Sequence, residues 1–291
     1  MVTRRRALVF GGTGQLGSQI VRLWSDIDVY APTRAQADIE DPVAAQRAVN
    51  EAAPQVVVNC TAFNDVPLAE KEPGRAFAVN AYAVERLADI CAARPCLFIT
   101  FSTDYVFDGM LGKPYTETDD PHPLNKYGES KLAGERLVLA RSSPAYVVRT
   151  CGVYGTGIST SKGYTFIHRI IDLARAGQPL RIINDQTISP TYAGHLAVAV
   201  RALMESSAPY GLYHAANEGA ITWFDFAQEG LRQAGLSRTI EGISSDQFSA
   251  GVMRPKFSAL ENARLHEFGL GMPTWREGLT TMLRDKAALS P

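Results

Sequence analysis

Tyr127 and Lys131 stand four residues apart in Tyr127-Gly128-Glu129-Ser130-Lys131, and Thr103 lies earlier in Ser102-Thr103-Asp104. On a helix, positions i and i+4 share a face, so the Lys131 ammonium can approach the Tyr127 phenol. A phenol alone is a poor acid at neutral pH. One positive charge about 4 Å away is worth roughly 4 kcal/mol at an effective dielectric near 20, enough after solvent screening to lower a phenol pKa of about 10 by one to three units. Tyr127 then serves as a general acid. With the Thr103 hydroxyl beside it, the set suits hydride-transfer chemistry at a carbonyl. A Tyr-x-x-x-Lys pattern also occurs on ordinary surface helices with a half-buried tyrosine, so the surrounding elements decide its meaning.

Those elements begin at the N-terminus. Ala7-Leu8-Val9-Phe10 is a short strand-like apolar run, and it leads into Gly11-Gly12-Thr13-Gly14-Gln15-Leu16-Gly17 and a helix from about Gln15 to Trp24. Strand, glycine turn and helix are the context of a dinucleotide site. Glycines at 11, 14 and 17 allow a tight turn, close approach to a pyrophosphate and packing of the helix on the sheet, with the helix N-terminus facing phosphate. The spacing is Gly-x-x-Gly-x-x-Gly, not the Gly-x-Gly-x-x-Gly of the standard fingerprint, and a flexible loop in another α/β protein is the plain alternative.

Further strand candidates are Ile27–Ala31, Gln55–Asn59, Leu97–Phe101 and Tyr146–Arg149. They alternate with helical stretches at Val43–Ala52, Arg75–Ala92 and Lys126–Ala140. The alternation predicts an α/β Rossmann-type doubly wound parallel sheet covered on both faces, with right-handed crossovers. Ligands bind beyond the carboxyl ends of such strands, where the Gly11 loop, Cys60-Thr61-Ala62, Ser102-Thr103-Asp104 and Thr150-Cys151-Gly152 converge. After about Gly152 the pattern loosens into short helices near Phe166–Ala176, His195–Met204 and Trp223–Ala234. We expect a nucleotide-binding domain of residues 1–151 plus about 189–217, and a smaller C-terminal substrate-binding lobe of 152–188 plus 218–291.

With 291 residues, 46% apolar content and a net charge of -1, the chain can bury a large core and has no field to attract a polyanion. Nucleic acid is therefore not an expected partner. Arg4-Arg5-Arg6 precede an apolar run of only four residues, too short for an export signal, and no run reaches membrane-spanning length. Cys60, Cys91, Cys96 and Cys151 show no Cys-x-x-Cys spacing, which points to free thiols, a cytoplasmic protein and no structural metal. A homodimer is compatible with the sequence, which does not fix the assembly.

Together the motifs resemble the extended short-chain dehydrogenase/reductases. More narrowly, Asp38-Ile39, Val58-Asn59, Ser102-Thr103-Asp104-Tyr105-Val106-Phe107, Pro123-Leu124-Asn125-Lys126-Tyr127-Gly128, Ser130-Lys131-Leu132-Ala133-Gly134-Glu135, Asn184-Asp185-Gln186, Pro190-Thr191 and Arg254-Pro255 resemble the dTDP-4-dehydrorhamnose reductase family, in order from about Ala7 to Trp275. The resemblance implies that Thr103 hydrogen-bonds the substrate carbonyl, Tyr127 delivers the proton, and Lys131 binds the nicotinamide ribose while lowering the tyrosine pKa. It also implies that Gly11, Gly14, Gln15, Leu16 and Gly17 line the pyrophosphate, Asp38 and Ile39 the adenine, and Cys60, Thr61, Ala62 and Phe63 pass the cofactor. Helix capping before Pro42 is the alternative for Asp38, and core packing for Cys60.

Charge bears on the cofactor. No carboxylate follows the second strand in Asp28-Val29-Tyr30-Ala31-Pro32-Thr33-Arg34, and Arg34 stands there instead, which suits a 2′-phosphate and favours NADPH over NADH. Several sugar-side positions depart from the family. Gly152 stands where a tryptophan packs on the sugar, Ile188 where a glycine is frequent, and Pro67 in place of an acidic residue. Asp104, Gly152, Gln186 and Arg254 are the candidate substrate positions, with turn capping the alternative for Asp104 and a surface ion pair for Arg254. The expected activity is NADPH-dependent reduction of the 4-keto group of a nucleotide-activated, dTDP-linked 6-deoxyhexose. A related epimerase or dehydratase and a nucleotide-binding regulatory subunit without turnover are the alternatives; the regulatory β subunit of methionine adenosyltransferase resembles this family.

Overall fold

The computed structural model describes residues 4–156, 165–248 and 251–289. In the first half, β1 (Arg6–Phe10), α1 (Gln15–Leu23), β2 (Asp28–Tyr30), α2 (Pro42–Ala52) and β3 (Val56–Asn59) follow one another. Next come α3 (Val66–Lys71), α4 (Pro73–Phe77), a π-helical turn (Ala78–Tyr82) and α5 (Ala83–Ala92). They lead to β4 (Leu97–Thr103), a 3-10 turn (Asp104–Val106), α6 (Lys126–Leu139) and β5 (Ala145–Thr150). The second half holds α7 (Phe166–Arg175), β6 (Arg181–Ile183), β7 (Thr187–Ile188), α8 (Ala193–Glu205) and β8 (Gly211–His214). It ends in β9 (Ile221–Thr222), α9 (Trp223–Gln233), β10 (Glu241–Ile243), α10 (Ser245–Phe248), α11 (Ala263–Glu267) and α12 (Trp275–Leu289).

Six parallel strands form the central sheet in the order β2-β1-β3-β4-β5-β8. Side chains alternate across each strand, so each face acquires its own core. On one face Ala7, Val9, Val56, Val58, Ile99 and Val148 pack with Ile20 and Trp24 of the α1 region and Leu196 and Val200 of α8. On the other, Leu8, Phe10, Val57, Phe98 and Val147 pack with Val49 of α2, Leu87 of α5 and Val138 of α6. Each such fully buried aliphatic side chain contributes roughly 1.5–3 kcal/mol relative to exposure. A third cluster joins Ile167, Ile170 and Ile171 of α7 to Phe226 and Leu231 of α9 and to Leu279 and Met282 of α12. β6 pairs in parallel with β10, and β7 antiparallel with β9.

The sheet order changes direction between β1 and β3, with β2 on one side of β1 and β3 on the other. Such a switch point opens a crevice beyond the carboxyl ends of the two strands. Three local departures from the sequence reading matter. The helix expected over Arg75–Ala92 is interrupted by the π turn that carries Asn80. α3 precedes it, started by Asp65, whose carboxylate accepts the Leu68 amide at 3.0 Å. β4 extends beyond Phe101 to Thr103, because Ser102 and Thr103 continue the ladder opposite Arg149 and Thr150 of β5. Among the described residues no helix is long and apolar enough to cross a membrane.

Candidate active site

The glycine loop is built by close backbone approach. Gly11 has φ +77°, and its carbonyl accepts the Gly14 amide at 3.0 Å. A Cβ on Gly17 would overlap that carbonyl, so only glycine lets α1 begin here. No side chain caps α1, which leaves its first-turn amides at Gln15, Leu16 and Gly17 without side-chain acceptors. Gln15 Oε1 is buried without a hydrogen-bond partner. Amides pointing outward from a helix N-terminus and a glycine cradle fit the pyrophosphate of a dinucleotide.

The loop after β3 meets this cradle. A Cβ on Gly11 would lie 3.0 Å from the Cys60 carbonyl carbon and 3.1 Å from Thr61 Cγ2. The Asn59 carboxamide fixes Thr61, accepting its amide at 3.1 Å and its hydroxyl at 2.6 Å. Ala62 is exposed at the rim, and the Phe63 amide donates to Asn80 Oδ1 at 2.9 Å. Cys60 is partly buried, and its thiol is pushed well above its ordinary value by desolvation.

The adenosine side holds a surprise for Arg34. Its guanidinium pairs with Asp38 and Glu40, at 2.8 Å each, while the side chain stays 73% exposed. Asp38 also accepts the Glu40 amide at 3.0 Å. Its carboxyl sits below the ordinary range despite partial burial, held there by the Glu40 amide and Arg34. Capping before Pro42 falls to Asp41, not Asp38, since Asp41 accepts the amides of Val43 and Ala44. Ile39 is buried in the core between α2 and the sheet.

The three candidate catalytic residues come from two elements that touch. Thr103 ends β4, and Asn125 caps α6 by accepting the Gly128 amide at 2.9 Å. A Cβ on Gly128 would overlap the Tyr105 carbonyl, and one on Gly134 the Asn80 carbonyl. These two glycines let α6 lie against the 3-10 turn and the π turn. The Thr103 hydroxyl lies near enough to the Tyr127 phenol to favour its ionised form, accepts the Tyr105 amide at 3.2 Å and donates to Asp104 Oδ1 at 3.1 Å. The Tyr105 ring meets that of Tyr127 edge to face, with centroids 5.7 Å apart. Lys131 is buried, and its Nζ donates to the Phe101 carbonyl at 2.7 Å.

The electrostatics correct one expectation. Burial pushes the Tyr127 phenol up to about 12; the nearby Thr103 hydroxyl opposes this and the Asp104 carboxylate adds to it. Lys131 is not among the groups that shift the phenol. Its ammonium is turned toward a main-chain carbonyl, and desolvation lowers its own pKa to about 8 against the raising charge of Glu135. Glu135 in turn takes Arg149 in a buried two-pronged pair, 2.9 and 2.7 Å.

Among the candidate substrate positions, Asp104 is 3% exposed and engaged on both oxygens, with Ser258 donating to Oδ2 at 2.6 Å. Burial raises its carboxyl to about 6. It therefore supports Thr103 from behind and does not present a carboxylate to the cleft. Arg254 lies close enough to Tyr105 for its charge to favour that phenolate. Gln186 is buried on the turn between β6 and β7. Gly152, at φ +51°, follows β5 with Ile188 and Trp223 beside it.

Comparison with known proteins fixes the relationship. A family model described as the RmlD substrate binding domain matches residues 5–288. The chain belongs to this family, that of the dTDP-4-dehydrorhamnose reductases. It is 38% identical over 290 residues to the dTDP-4-dehydrorhamnose reductase of Mycobacterium tuberculosis, covering 97% of this chain and 93% of that one. It is 32% identical to the dTDP-4-keto-6-deoxy-D-glucose reductase of Streptomyces niveus, covering 98% and 95%. The crystal structure of dTDP-4-dehydrorhamnose reductase from Bacillus anthracis in complex with NADP superposes with a TM-score of 0.91 at 32% identity, over 97% of this chain and 100% of that one.

Within this reductase family frame, the structure adds residues that motif reading missed. Asn80 donates to the Phe63 carbonyl and to Ser130 Oγ, each at 3.0 Å, and so ties the loop after β3 to the catalytic helix. Ser258, from a distant segment, completes the support of Asp104. A groove of about 590 Å³ lined by Phe77, Asp108, His122, Glu129 and Arg136 runs along α6. At 100° per residue, Glu129 and Arg136 face away from Tyr127 and Lys131, so that groove lies on the opposite side of α6 from the candidate catalytic pair.

Proposed function

We propose that this chain uses NADPH to reduce the 4-keto group of a dTDP-linked 4-dehydro-6-deoxyhexose, such as dTDP-4-dehydro-L-rhamnose. The observation that carries this reading is the meeting of the Thr103 and Tyr127 side chains where β4 and α6 touch, with Lys131 one helical turn further on. Relatives that act on dTDP-4-dehydrorhamnose and dTDP-4-keto-6-deoxy-D-glucose, and a structural neighbour that holds NADP, support it.

When bound, the dihydronicotinamide supplies the hydride. Gly11, Gly14, Gln15, Leu16 and Gly17 hold the pyrophosphate, and Lys131 offers its ammonium to the neighbouring ribose. Tyr127 gives its phenolic proton to the carbonyl oxygen as negative charge grows there. The Thr103 hydroxyl has a single proton, now directed at Asp104, and turns it to the same oxygen by exchanging one acceptor for another. Arg34 takes the 2′-phosphate in competition with Asp38 and Glu40. A dehydratase, or an epimerase acting on a carbon next to the ketone, needs a base there. The Asp104 carboxylate is committed to Ser258 and Thr103, and Tyr105 follows it.

The test incubates purified protein with dTDP-4-dehydro-6-deoxyhexoses and NADPH or NADH, following nicotinamide absorbance and identifying the sugar by mass. Stoichiometric oxidation of NADPH with formation of the 4-hydroxy sugar is expected. Sugar conversion without net nicotinamide oxidation would assign an epimerase or dehydratase, and binding without turnover a regulatory subunit. Arg34→Ala should raise the KM for NADPH about tenfold and leave that for NADH unchanged, as loss of a charge-assisted hydrogen bond predicts.

A further inference from the structure

We propose that Trp223 is the aromatic wall of the sugar site, stacking on the apolar C–H face of the pyranose whose C4 carbonyl meets Thr103 and Tyr127; this rests on the reductase reading above. Thr103 pairs in register with Thr150, so Gly152 lies two residues past the strand position opposite the carbonyl-binding hydroxyl. Gly152, at φ +51°, brings no side chain to this flank, and the space one would take is already occupied by Ile188, Pro190 and Trp223. A Cβ there would lie 3.4 Å from Trp223 Cη2 and 3.1 Å from Ile188 Cδ1. The edge of the indole thus borders the space that a side chain at position 152 would enter.

Trp223 is held rather than loose. It opens α9, whose cap Thr222 accepts the Asp225 amide at 3.0 Å, and its own amide donates to the Gln186 carbonyl at 3.3 Å. Its ring packs on Phe166 at a 4.7 Å centroid distance. It also packs on the buried cluster of Val106, Phe107, Leu132, Cys151 and Ile188. Val106 belongs to the turn after Thr103 and Leu132 follows Lys131, so the cluster joins the indole to both catalytic segments. Unlike those buried neighbours, the indole remains partly exposed. A rigid, partly exposed aromatic ring, taking the place of a side chain at position 152 and packed on both segments that carry the carbonyl site, is an arrangement that can bind an apolar sugar face.

The test is steady-state kinetics of Trp223→Phe and Trp223→Leu with dTDP-4-dehydrorhamnose and NADPH, together with emission titrations. Trp223→Leu should raise the sugar KM about three- to tenfold, with kcat within about twofold and the NADPH KM unchanged. Trp223→Phe, which keeps a smaller aromatic face, should raise the sugar KM less than Trp223→Leu does. Wild-type tryptophan emission should shift on adding dTDP-rhamnose but not dTDP alone, and the shift should vanish in Trp223→Phe. An unchanged sugar KM in Trp223→Leu, an equal rise in NADPH KM, or an emission response to dTDP alone overturns the assignment. Absence of wild-type turnover would sink the reductase reading itself, whereas normal wild-type turnover with an indifferent Trp223→Leu sinks only the wall.

Discussion

Tyr127 holds its proton tightly, near a pKa of about 12, so it is present as the acid across the neutral range. Replacing it by phenylalanine removes the proton but not the ring. We expect Tyr127→Phe to lower kcat by two to four orders of magnitude, the span of general-acid catalysis, while the NADPH dissociation constant stays within about threefold; rapid-mixing kinetics and a fluorescence titration check both. Asp104 makes a different prediction. Its pKa is 3.8 in an unfolded chain and about 6 when folded, so between those values the folded chain binds more protons. The contribution of this carboxyl to stability is therefore greatest below pH 4 and is lost as pH rises through 6, by roughly 3 kcal/mol. Asp104→Asn cannot ionise. Its stability relative to wild type should improve by about that amount between pH 4 and pH 7 in urea titrations, and a pH-independent difference would refute the assignment. Thr103, Tyr127 and Lys131 stood out as candidates from residue types and spacing, and the fold brings the segments that carry them into contact. The Ser258 partner of Asp104 was not, because it lies 154 residues away and nothing local marks the pair.

At the scale of elements, the site exists because α6 comes unusually near two turns. A methyl on Gly128 would strike the Tyr105 carbonyl and force the helix away. Gly128→Ala should lose about 1–3 kcal/mol of stability and reduce kcat at least tenfold by parting Tyr127 from Thr103. Gly74→Ala on α4, where no atom lies within 4 Å of the new Cβ, is the control that should be neutral in both thermal unfolding and turnover. Strands and their glycine turn could be read in advance because apolar runs bounded by glycine have few other uses. The alternation of Leu8 and Phe10 with Ala7 and Val9 between the two cores follows from the same rule. The π turn at Ala78–Tyr82 could not be foreseen. Nothing in Ala78-Val79-Asn80-Ala81-Tyr82 marks a widened turn, which coincides with the tertiary contact between Asn80 and the Phe63 loop. Trp223 escaped notice for a related reason, since only the fold brings α9 beside the end of β5.

For the molecule as a whole, ligand binding should register as stability. At NADPH a hundredfold above its dissociation constant, linkage adds about 2.7 kcal/mol, or roughly 5 °C for a chain of this size. Scanning calorimetry should show that rise with NADPH and a further one when a dTDP-sugar is added. No shift at saturating NADPH would contradict the glycine cradle. The buried ammonium of Lys131 carries one more implication. With its pKa lowered to about 8, it is part neutral in mildly alkaline solution. Ribose hydroxyls that accept from it restore the charged form, so association near pH 8 must draw hydrogen ions from the medium. The heat measured on mixing will then vary with the ionisation enthalpy of the buffer, more endothermic in Tris than in phosphate, and that dependence should disappear in Lys131→Met.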